Sequence, residues 1–360
     1  MAAELPRVSA AELKDWTARV FMAGGVPEAD ARLTAEVLVL ADLRGIDSHG
    51  VARLPFYLMK LKNQSINPKP RPAAVHESPA TALFDGDNGL GPVAAKPAME
   101  LAIGKARRVG AGFVAVRNSN HFGIAAYYSQ MALAEEMIGI SMTNAVALMA
   151  PTFGRQGLLG TNPLSVAVPA GRLRPFLLDM ATSTVPVGKI ELALRNNASV
   201  PLGWVLDSQG RPTPNPKDMF QGGTLTPLGG DREQGGHKGY GLALLIDILS
   251  AVLPLANYGA RQEGLTSMRP EPSNVGHFFG ALKIEGFRPL EEFKATMDQA
   301  LSAIQDSPKA LGRDRILIHG EPEFEAEDER RRLGIPLHPE VRLRLKKIGQ
   351  ENKVLADFLA

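Results

Sequence analysis

Hydrophobic and polar positions change their spacing about 65 to 70 residues into the chain. Before that point, apolar residues recur at the helical period in residues 10–24 and 28–44, and this pattern predicts two amphipathic helices. Ser9 can cap the first helix, Pro27 can open the second, and Gly45 can end it. The N-terminal part of the chain therefore predicts a helical unit.

The pattern changes after the proline-rich stretch NPKPRP, which cannot continue a helix and leads into a second region. Short apolar runs there predict strands at 112–116 (GFVAV), 138–143 (IGISMT) and 164–169 (LSVAVP), and longer periodic segments predict helices at 125–136 and 239–253. The charged tail after Arg330 is again predicted to be helical and to fold back on the N-terminal helices. Together these elements predict an α/β protein with a mixed sheet.

Composition narrows the functional classes. The chain has 360 residues, 44% of them hydrophobic and 22% charged, which is typical of a globular protein long enough for two domains. Forty Lys and Arg against 38 Asp and Glu leave a net charge of +2, too small to predict nucleic-acid binding. The apolar stretch 242–256 contains Asp247 and Pro254 and is too short to span a bilayer, so we expect no membrane partner.

The cysteine and histidine content limits the kinds of catalytic and metal site that the chain can contain. The absence of cysteine excludes disulfides, cysteine-ligated zinc and thiol catalysis. The seven histidines are scattered without metal-ligand spacing, so we expect no metal site. The N-terminal residues contain no apolar signal core, and we therefore expect a cytoplasmic location.

The segment RGIDSHGVARLPFY, residues 44–57, combines a serine, a histidine and an arginine. A third helix is predicted to begin near Asp47 and Ser48, and in a helix His49 and Arg53 would share one face about 6 Å apart. That pair is suited to holding an anion. Ser48 lacks the strained G-x-S-x-G turn of a serine hydrolase, so we expect it to be a hydrogen-bonding partner and not a nucleophile.

Three further segments carry candidate chemistry. His121 follows the strand GFVAV at a strand-to-helix junction, where a histidine can exchange a proton near neutral pH; helix capping is the alternative. Gly89, Gly91 and Ala94 spell G-x-G-x-x-A after a possible strand, but the acidic residue of a Rossmann turn is missing, which favours a simple glycine-rich turn. Lys238 lies in GGHKGYG at a helix start suited to phosphate, although a hinge would look similar.

Taken together, these segments resemble the malate/L-lactate dehydrogenase family of type 2, whose nicotinamide cofactor binds to a non-Rossmann fold. The resemblance runs in order through RGIDSHGVARLPFY, NSNHFGIAAYY (118–128), MTNA (142–145), LGTNP (159–163), DMATS (179–183), GW--D--G-PT (203–213), GGHKGYGLALLIDIL (235–249) and NVGHFFGAL (274–282). It implies a helical domain from both chain ends, 1–70 with 320–360. It also implies a central α/β domain, 71–319, with a mixed, largely antiparallel sheet, and a homodimer.

The resemblance implies a reaction that transfers hydride between NAD or NADP and C2 of a small 2-hydroxy or 2-oxo acid. His121 would be the proton donor or acceptor, with Ser48 and His49 beside the substrate. The substrate would also contact Arg53 through its carboxylate, and Thr161 and Tyr57. Residues expected to contact the cofactor are His121, Phe122, Gly123, Ile124, Asp179, Met180, Ala181, Lys238, Gly276, His277 and Phe278.

Two alternatives stay open within and outside this family. The family's cyclic-imine reductases have an aspartate that completes a relay with the Ser-His pair, whereas the corresponding position here is Lys189. This difference favours a hydroxy acid over an imine such as Δ1-piperideine-2-carboxylate. A non-catalytic ligand-binding protein would keep the fold but would lack the proton donor, the anion clamp or the phosphate lysine, and this sequence has all three.

Overall fold

A computed structural model of the chain describes residues 5–259 and 271–359. Its helices are α1 Ala10–Ala23, α2 Glu28–Leu43, α3 Leu54–Lys62, α4 Gly91–Val109, α5 Ala126–Ser129, α6 Val187–Arg195, α7 Gly236–Asp247, α8 Leu290–Asp306, α9 Glu321–Leu333 and α10 Pro339–Glu351. Its strands are β1 Arg7–Val8, β2 Ala73–Glu77, β3 Thr81–Asp85, β4 Ala111–Ser119, β5 Met137–Thr143, β6 Leu164–Val168, β7 Phe176–Met180, β8 Val205–Leu206, β9 Pro212–Thr213, β10 Thr224–Leu225, β11 Val275–Lys283 and β12 Ile335–Pro336. Within these described ranges, none of the helices is long and apolar enough to cross a membrane.

The central layer is a seven-stranded sheet with the order β2-β3-β4-β11-β5-β6-β7. Neighbouring strands are antiparallel except β3 and β4, which are parallel and are joined by the crossover helix α4. The three predicted strands correspond to β4, β5 and β6, and the predicted mixed, largely antiparallel sheet is confirmed. Side chains alternate between buried and partly exposed along β5, as the period of two requires.

The two chain ends fold together. The antiparallel pairing of β1 with β12 joins Arg7 to Pro336, and the Trp16 indole N–H donates to the Val354 carbonyl at 2.9 Å. One apolar cluster contains Leu13 and Trp16 from α1 together with residues of α10, among them Ile348. The predicted return of the C-terminal tail to the N-terminal helices is confirmed.

Helix α2 connects this helical layer with the sheet. Leu38 and Leu43 belong to the apolar cluster of the helical layer, whereas Val37 and Ala41 pack into the cluster that covers one face of the sheet. Because both faces of α2 are buried, the turn that follows its C-terminus is brought against the α/β layer.

Two predicted helices differ from the structure. The segment predicted at 125–136 forms only the short helix α5 before a 3-10 helix, Gln130–Glu135, because it lies directly on the sheet: a Cβ atom at Gly139 would be 1.9 Å from the Ser129 carbonyl oxygen. The segment predicted at 239–253 begins earlier, as α7, and continues as a π-helical turn, Ile248–Val252.

Candidate active site

His121 lies just beyond the end of β4, in a loop that the glycine-rich turn supports. A Cβ atom at Gly91 would lie 2.2 Å from the His121 carbonyl oxygen and 2.4 Å from that of Asn120. The Asn120 side chain in turn donates to the Gly89 carbonyl at 2.8 Å. The G-x-G-x-x-A segment therefore has a packing role, since Gly91 allows the start of α4 to approach the backbone that carries His121.

Two donors converge on one ring nitrogen of His121. The Gly123 backbone N–H points at Nδ1 from 3.3 Å, and the Tyr57 hydroxyl lies 2.6 Å from the same atom. A backbone N–H can only donate, so Nδ1 is an acceptor, and the neutral ring carries its proton on Nε2. Burial raises the pKa of Tyr57 well above its usual range, which keeps the hydroxyl protonated as a donor.

The electrostatic surroundings keep His121 neutral. Burial is the main cause that lowers its pKa well below the usual value, and His49, Arg53 and His277 lower it further. The His49 ring stacks on the His121 ring with centroids 5.6 Å apart, and burial followed by the charge of Arg53 lowers the pKa of His49 to about 4. At neutral pH, the structure thus presents two uncharged imidazoles beside one permanent cation.

The turn that carries the Ser-His pair corrects the predicted helical geometry. Two 3-10 turns, Asp47–His49 and Val51–Arg53, are separated by Gly50 in an extended conformation, and α3 begins only afterwards. His49 and Arg53 therefore do not share one α-helical face. The Arg53 side chain instead folds back, and its Nε donates to the Ser48 carbonyl at 2.7 Å.

The polar groups of this turn have a clear division of roles. The Ser48 hydroxyl lies 2.9 Å from Nδ1 of His49, which leaves Nε2 of that ring for another partner. Arg53 binds the Ser48 carbonyl through Nε, and its two terminal nitrogens have no hydrogen-bond partner within residues 5–259 and 271–359. These nitrogens are available for the bidentate pairing that a carboxylate forms with arginine.

The other motif segments meet at the same end of the sheet as His121. Strands β4, β5 and β7 end there, and the antiparallel strands β11 and β6 begin there. The ends of these five neighbouring strands, spaced by about 4.8 Å, form a row about 19 Å long. Segments that are distant in the sequence thus form one continuous edge of strand ends beside His121.

A buried polar network joins the middle of this row. Asn144 accepts a hydrogen bond from the Gly276 N–H at 3.0 Å, and the Thr143 hydroxyl donates to the Gly276 carbonyl at 2.9 Å. A Cβ atom at Gly276 would lie 1.6 Å from the Ser250 carbonyl oxygen, so this glycine is required for the π-helical turn to pack on β11.

His277 and Phe278 point to opposite faces of the sheet. His277 is fully buried, with its two ring nitrogens 2.8 Å from the Thr143 and Ser119 hydroxyls, and its ring stacks on Phe122 at 4.6 Å. Its side chain thus supports Phe122, the neighbour of His121, and has no surface of its own for a ligand. Phe278 stacks instead on Phe113 on the other face.

Asp179 links the end of β7 to the His121 loop. Its Oδ2 accepts a hydrogen bond from the Ala126 N–H at 2.8 Å, at the start of the short helix that follows that loop. Burial raises the pKa of Asp179 to about 7. The adjoining residues Met180 and Ala181 are partly exposed, and the Thr161 carbonyl accepts from the Thr182 N–H at 2.8 Å beside them.

Lys238 is exposed in the first turn of α7. This helix lies beside the strand ends, because the Asn162 side chain donates to the Ala243 carbonyl at 2.9 Å. The segment before the helix is held there as well, since the Leu228 N–H donates to the Thr182 carbonyl at 2.9 Å. The helix start has Gly235 at its N-cap, without a side-chain cap. A cation and a helix N-terminus therefore lie together near the row.

Sequence reasoning missed the residues that support the site from behind. It gave Tyr57 only a substrate contact, and it gave no role to Asn120 or to Asp42, whose carboxylate accepts from the Val51 N–H at 2.8 Å. Their positions in the sequence could have indicated these roles. Asn120 adjoins His121, and Asp42 is a carboxylate on the buried side of an apolar helix, where an unpartnered charge is costly.

Comparisons with known proteins identify the family of the chain. The sequence profile of the malate/L-lactate dehydrogenase family matches residues 8–346. The chain is 48% identical over 345 residues to a malate dehydrogenase of Pyrococcus abyssi, covering 96% of this chain and 94% of the relative. It is 46% identical over 327 residues to an L-sulfolactate dehydrogenase of Methanocaldococcus jannaschii, covering 91% and 92%.

Solved structures extend the agreement to the fold. The crystal structure of malate dehydrogenase from Entamoeba histolytica superposes with a TM-score of 0.93 at 36% identity, covering 98% of this chain and all 100% of the other. Sequence and fold thus match over nearly the whole length. The chain therefore belongs to the malate/L-lactate dehydrogenase family and is a 2-hydroxy acid dehydrogenase.

Proposed function

We propose that the chain catalyses reversible hydride transfer between NAD or NADP and C2 of a small 2-hydroxy or 2-oxo acid. The observation that carries this proposal is the meeting of Arg53 and His49, from the N-terminal turn, with His121 from the sheet. The names of the relatives, malate and sulfolactate dehydrogenases, favour a substrate with a second acidic group.

Arg53 binds the substrate carboxylate in this proposal. Its terminal nitrogens are free for two parallel hydrogen bonds, and its charge cannot be lost by deprotonation. Ser48, His49 and Thr161 contact the rest of the polar substrate. This arrangement fixes C2 relative to the His121 ring, which is the positioning that a bimolecular reaction requires.

His121 carries the proton. Its Nδ1 faces Tyr57, so Nε2 is the atom that exchanges a proton with the substrate oxygen. The free ring is neutral, and the carboxylate of a bound 2-oxo acid offsets the charge of Arg53 and favours proton uptake. During reduction the charged ring donates Nε2–H to the oxygen at C2 and keeps its other proton on Nδ1. During oxidation the neutral ring holds its proton on Nδ1, and its unprotonated Nε2 accepts the hydroxyl proton.

Tyr57 adapts to both protonation states. It donates to Nδ1 when the neutral ring carries its proton on Nε2, and it can also turn its O–H toward the His121 carbonyl oxygen, 3.4 Å away. In that second arrangement the phenol oxygen accepts Nδ1–H, both from the charged ring and from the neutral ring that remains after Nε2–H has been donated. Tyr57 therefore acts on the proton carrier, in addition to the substrate contact that the family resemblance implies.

The residues along the strand ends fit an elongated, anionic dinucleotide. The row is about 19 Å long, and Lys238 supplies a cation beside a helix N-terminus. Proposed contacts are His121, Phe122, Gly123, Ile124, Asp179, Met180, Ala181, Lys238, Gly276, His277 and Phe278, with the His277 side chain acting through Phe122. The bound cofactor supplies or accepts the hydride at its nicotinamide.

We propose a homodimer on the basis of exposed apolar side chains beside the sheet. Alternate residues of β5, including Ile140, are only partly buried on the sheet face that carries Phe278. The π-helical turn packs on the same face. The side chains of Leu245, at the end of α7, and of Ile248 and Val252, in the turn itself, are 47%, 44% and 50% exposed. Large apolar side chains that stay exposed on successive turns of a helix are typical of an interface. Light scattering at micromolar concentration that gave a monomer with full activity would contradict the dimer.

A hydroxy acid is favoured over a cyclic imine. Within the described ranges, no carboxylate contacts the Ser48–His49 pair, and the Lys189 amine lies 5.8 Å from the centre of the Trp204 ring. The test is the loss of NADH and NADPH absorbance with a panel of 2-oxo acids and cyclic imino acids. We expect turnover with 2-oxo acids, above all those with two acidic groups. Turnover confined to the imino acids, or none at all, would overturn the proposal.

A further inference from the structure

The turn that carries Ser48, His49 and Arg53 has little internal support. Its two 3-10 turns are three residues long, and their backbone hydrogen bonds include one of 3.4 Å, from the Gly50 N–H to the Asp47 carbonyl. Such short turns do not hold side chains in fixed positions without help. The support has to come from neighbouring elements.

Asp42, at the end of α2, supports the turn from the inside. Its side chain is buried, and Oδ2 accepts the hydrogen bond from the Val51 N–H that opens the second 3-10 turn. A Cβ atom at Gly50 would lie 1.8 Å from Oδ1 of Asp42. The turn is therefore packed directly against this carboxylate.

Arg330, from α9, supports the turn from the outside. Its Nη1 donates to the backbone carbonyl of Asp42 and to Oδ1 of Asp47, both at 2.5 Å. The Arg330 side chain is only 16% exposed. One guanidinium thus joins the end of α2 to Asp47, the first residue of the turn that carries Ser48, His49 and Arg53, across 283 positions of the sequence.

We propose that Arg330 is a positioning residue for the dehydrogenase reaction, which holds the Ser48–Arg53 turn in place together with Asp42. The proposal rests on the proposed substrate contacts of that turn. The planar guanidinium reaches two acceptors on different elements from a fixed direction, and a lysine keeps the charge without that geometry. Loss of Arg330 lets the turn move away from His121 while the row of strand ends stays unchanged.

The test compares Arg330→Ala with Arg331→Ala in the full-length enzyme. Arg331 has the same charge one residue further along α9, but its ion pair is with Glu327 in its own helix and its side chain is 56% exposed. We expect Arg330→Ala to raise KM for the 2-oxo acid about tenfold or more, with KM for the cofactor within about twofold of wild type. The KM of Arg330→Lys for the 2-oxo acid should lie between those of wild type and Arg330→Ala, and the KM values of Arg331→Ala should resemble those of wild type.

Hydrogen exchange gives a second readout that does not depend on activity. Amides of residues 46–53, the Val51 N–H among them, should exchange faster in Arg330→Ala than in Arg331→Ala, with unchanged exchange in β4 and β11. Equal exchange and equal KM in the two variants would overturn the proposal. If Arg330→Ala does not fold, Asp47→Asn removes the negative charge of the same contact. An unchanged exchange rate of residues 46–53 in Asp47→Asn would also overturn the proposal.

The two proposals fail separately. If the substrate contacts are wrong, Arg53→Lys leaves KM unchanged while exchange in residues 46–53 still responds to Arg330→Ala. If only the positioning role is wrong, Arg53→Lys raises KM and Arg330→Ala has no effect on KM or on exchange.

Discussion

Replacing Tyr57 by phenylalanine removes one oxygen atom from a buried contact with the proposed proton carrier. The Tyr57 ring is fully buried and packs edge-on against Phe21 at 6.0 Å, so phenylalanine fills the same space. The protein should fold normally, because the loss of one hydrogen bond costs about 0.5–1.5 kcal/mol. The effect is expected in the titration of His121.

The magnitude follows from the two states of the ring. When His121 is neutral, the Tyr57 hydroxyl donates to Nδ1 at 2.6 Å, a neutral contact of about 0.5–1.5 kcal/mol. When the ring is charged, the phenol oxygen accepts Nδ1–H, and hydrogen bonds to charged groups contribute about 1.5–3 kcal/mol. The charged form therefore loses about 1–1.5 kcal/mol more than the neutral form. This lowers the pKa of His121 in the substrate complex by about one unit.

The assay is the pH dependence of kcat in both directions. Reduction requires the protonated ring, so its rate falls as the pH rises through the pKa of His121; oxidation requires the neutral ring, so its rate rises there. In Tyr57→Phe, both limbs should move to lower pH by about one unit. Limbs at the wild-type pH, combined with a raised KM, would refute the reasoning and leave Tyr57 with a substrate contact alone.

The remaining predictions concern the anion clamp, the proton and the buried rings. Arg53→Lys keeps the charge but loses the planar fork, so KM for the 2-oxo acid should rise strongly while KM for the cofactor stays unchanged; an unchanged substrate KM would remove Arg53 from the site. His121→Asn cannot exchange a proton, so kcat should fall by about 10²–10⁴, and near-normal turnover would exclude His121 as the acid. Burial lowers the pKa of His277 to about 3 and that of His49 to about 4, so the unfolded chain binds more protons below about 6.5. Stability to urea should therefore be fully present above that pH and should decline as the pH falls toward 3, and His277→Gln should reduce this decline.

Local sequence patterns predicted much of the fold. The apolar run IGISMT predicted β5 within one residue of its bounds, and Ser9 caps α1 through a hydrogen bond from the Glu12 N–H. These features depend on neighbours within a few residues, which is why they can be predicted from the chain itself. The prediction of one helix from Asp47 onwards was wrong, because the buried carboxylate of Asp42 binds the Val51 N–H and holds Gly50 in an extended conformation.

The sequence by itself determined the chemical inventory: the order of the motifs, the single Ser-His-Arg segment, the histidine after β4, and the absence of cysteine. Only the tertiary structure decided how these groups are arranged. The contact of Tyr57 with Nδ1 of His121 joins residues 64 positions apart, and that of Arg330 with Asp47 joins residues 283 apart. Periodicity and capping act over a few residues, whereas these contacts depend on how α2 and α9 pack against the sheet. That packing fixes which ring nitrogen of His121 is free and which groups hold the Ser48–Arg53 turn.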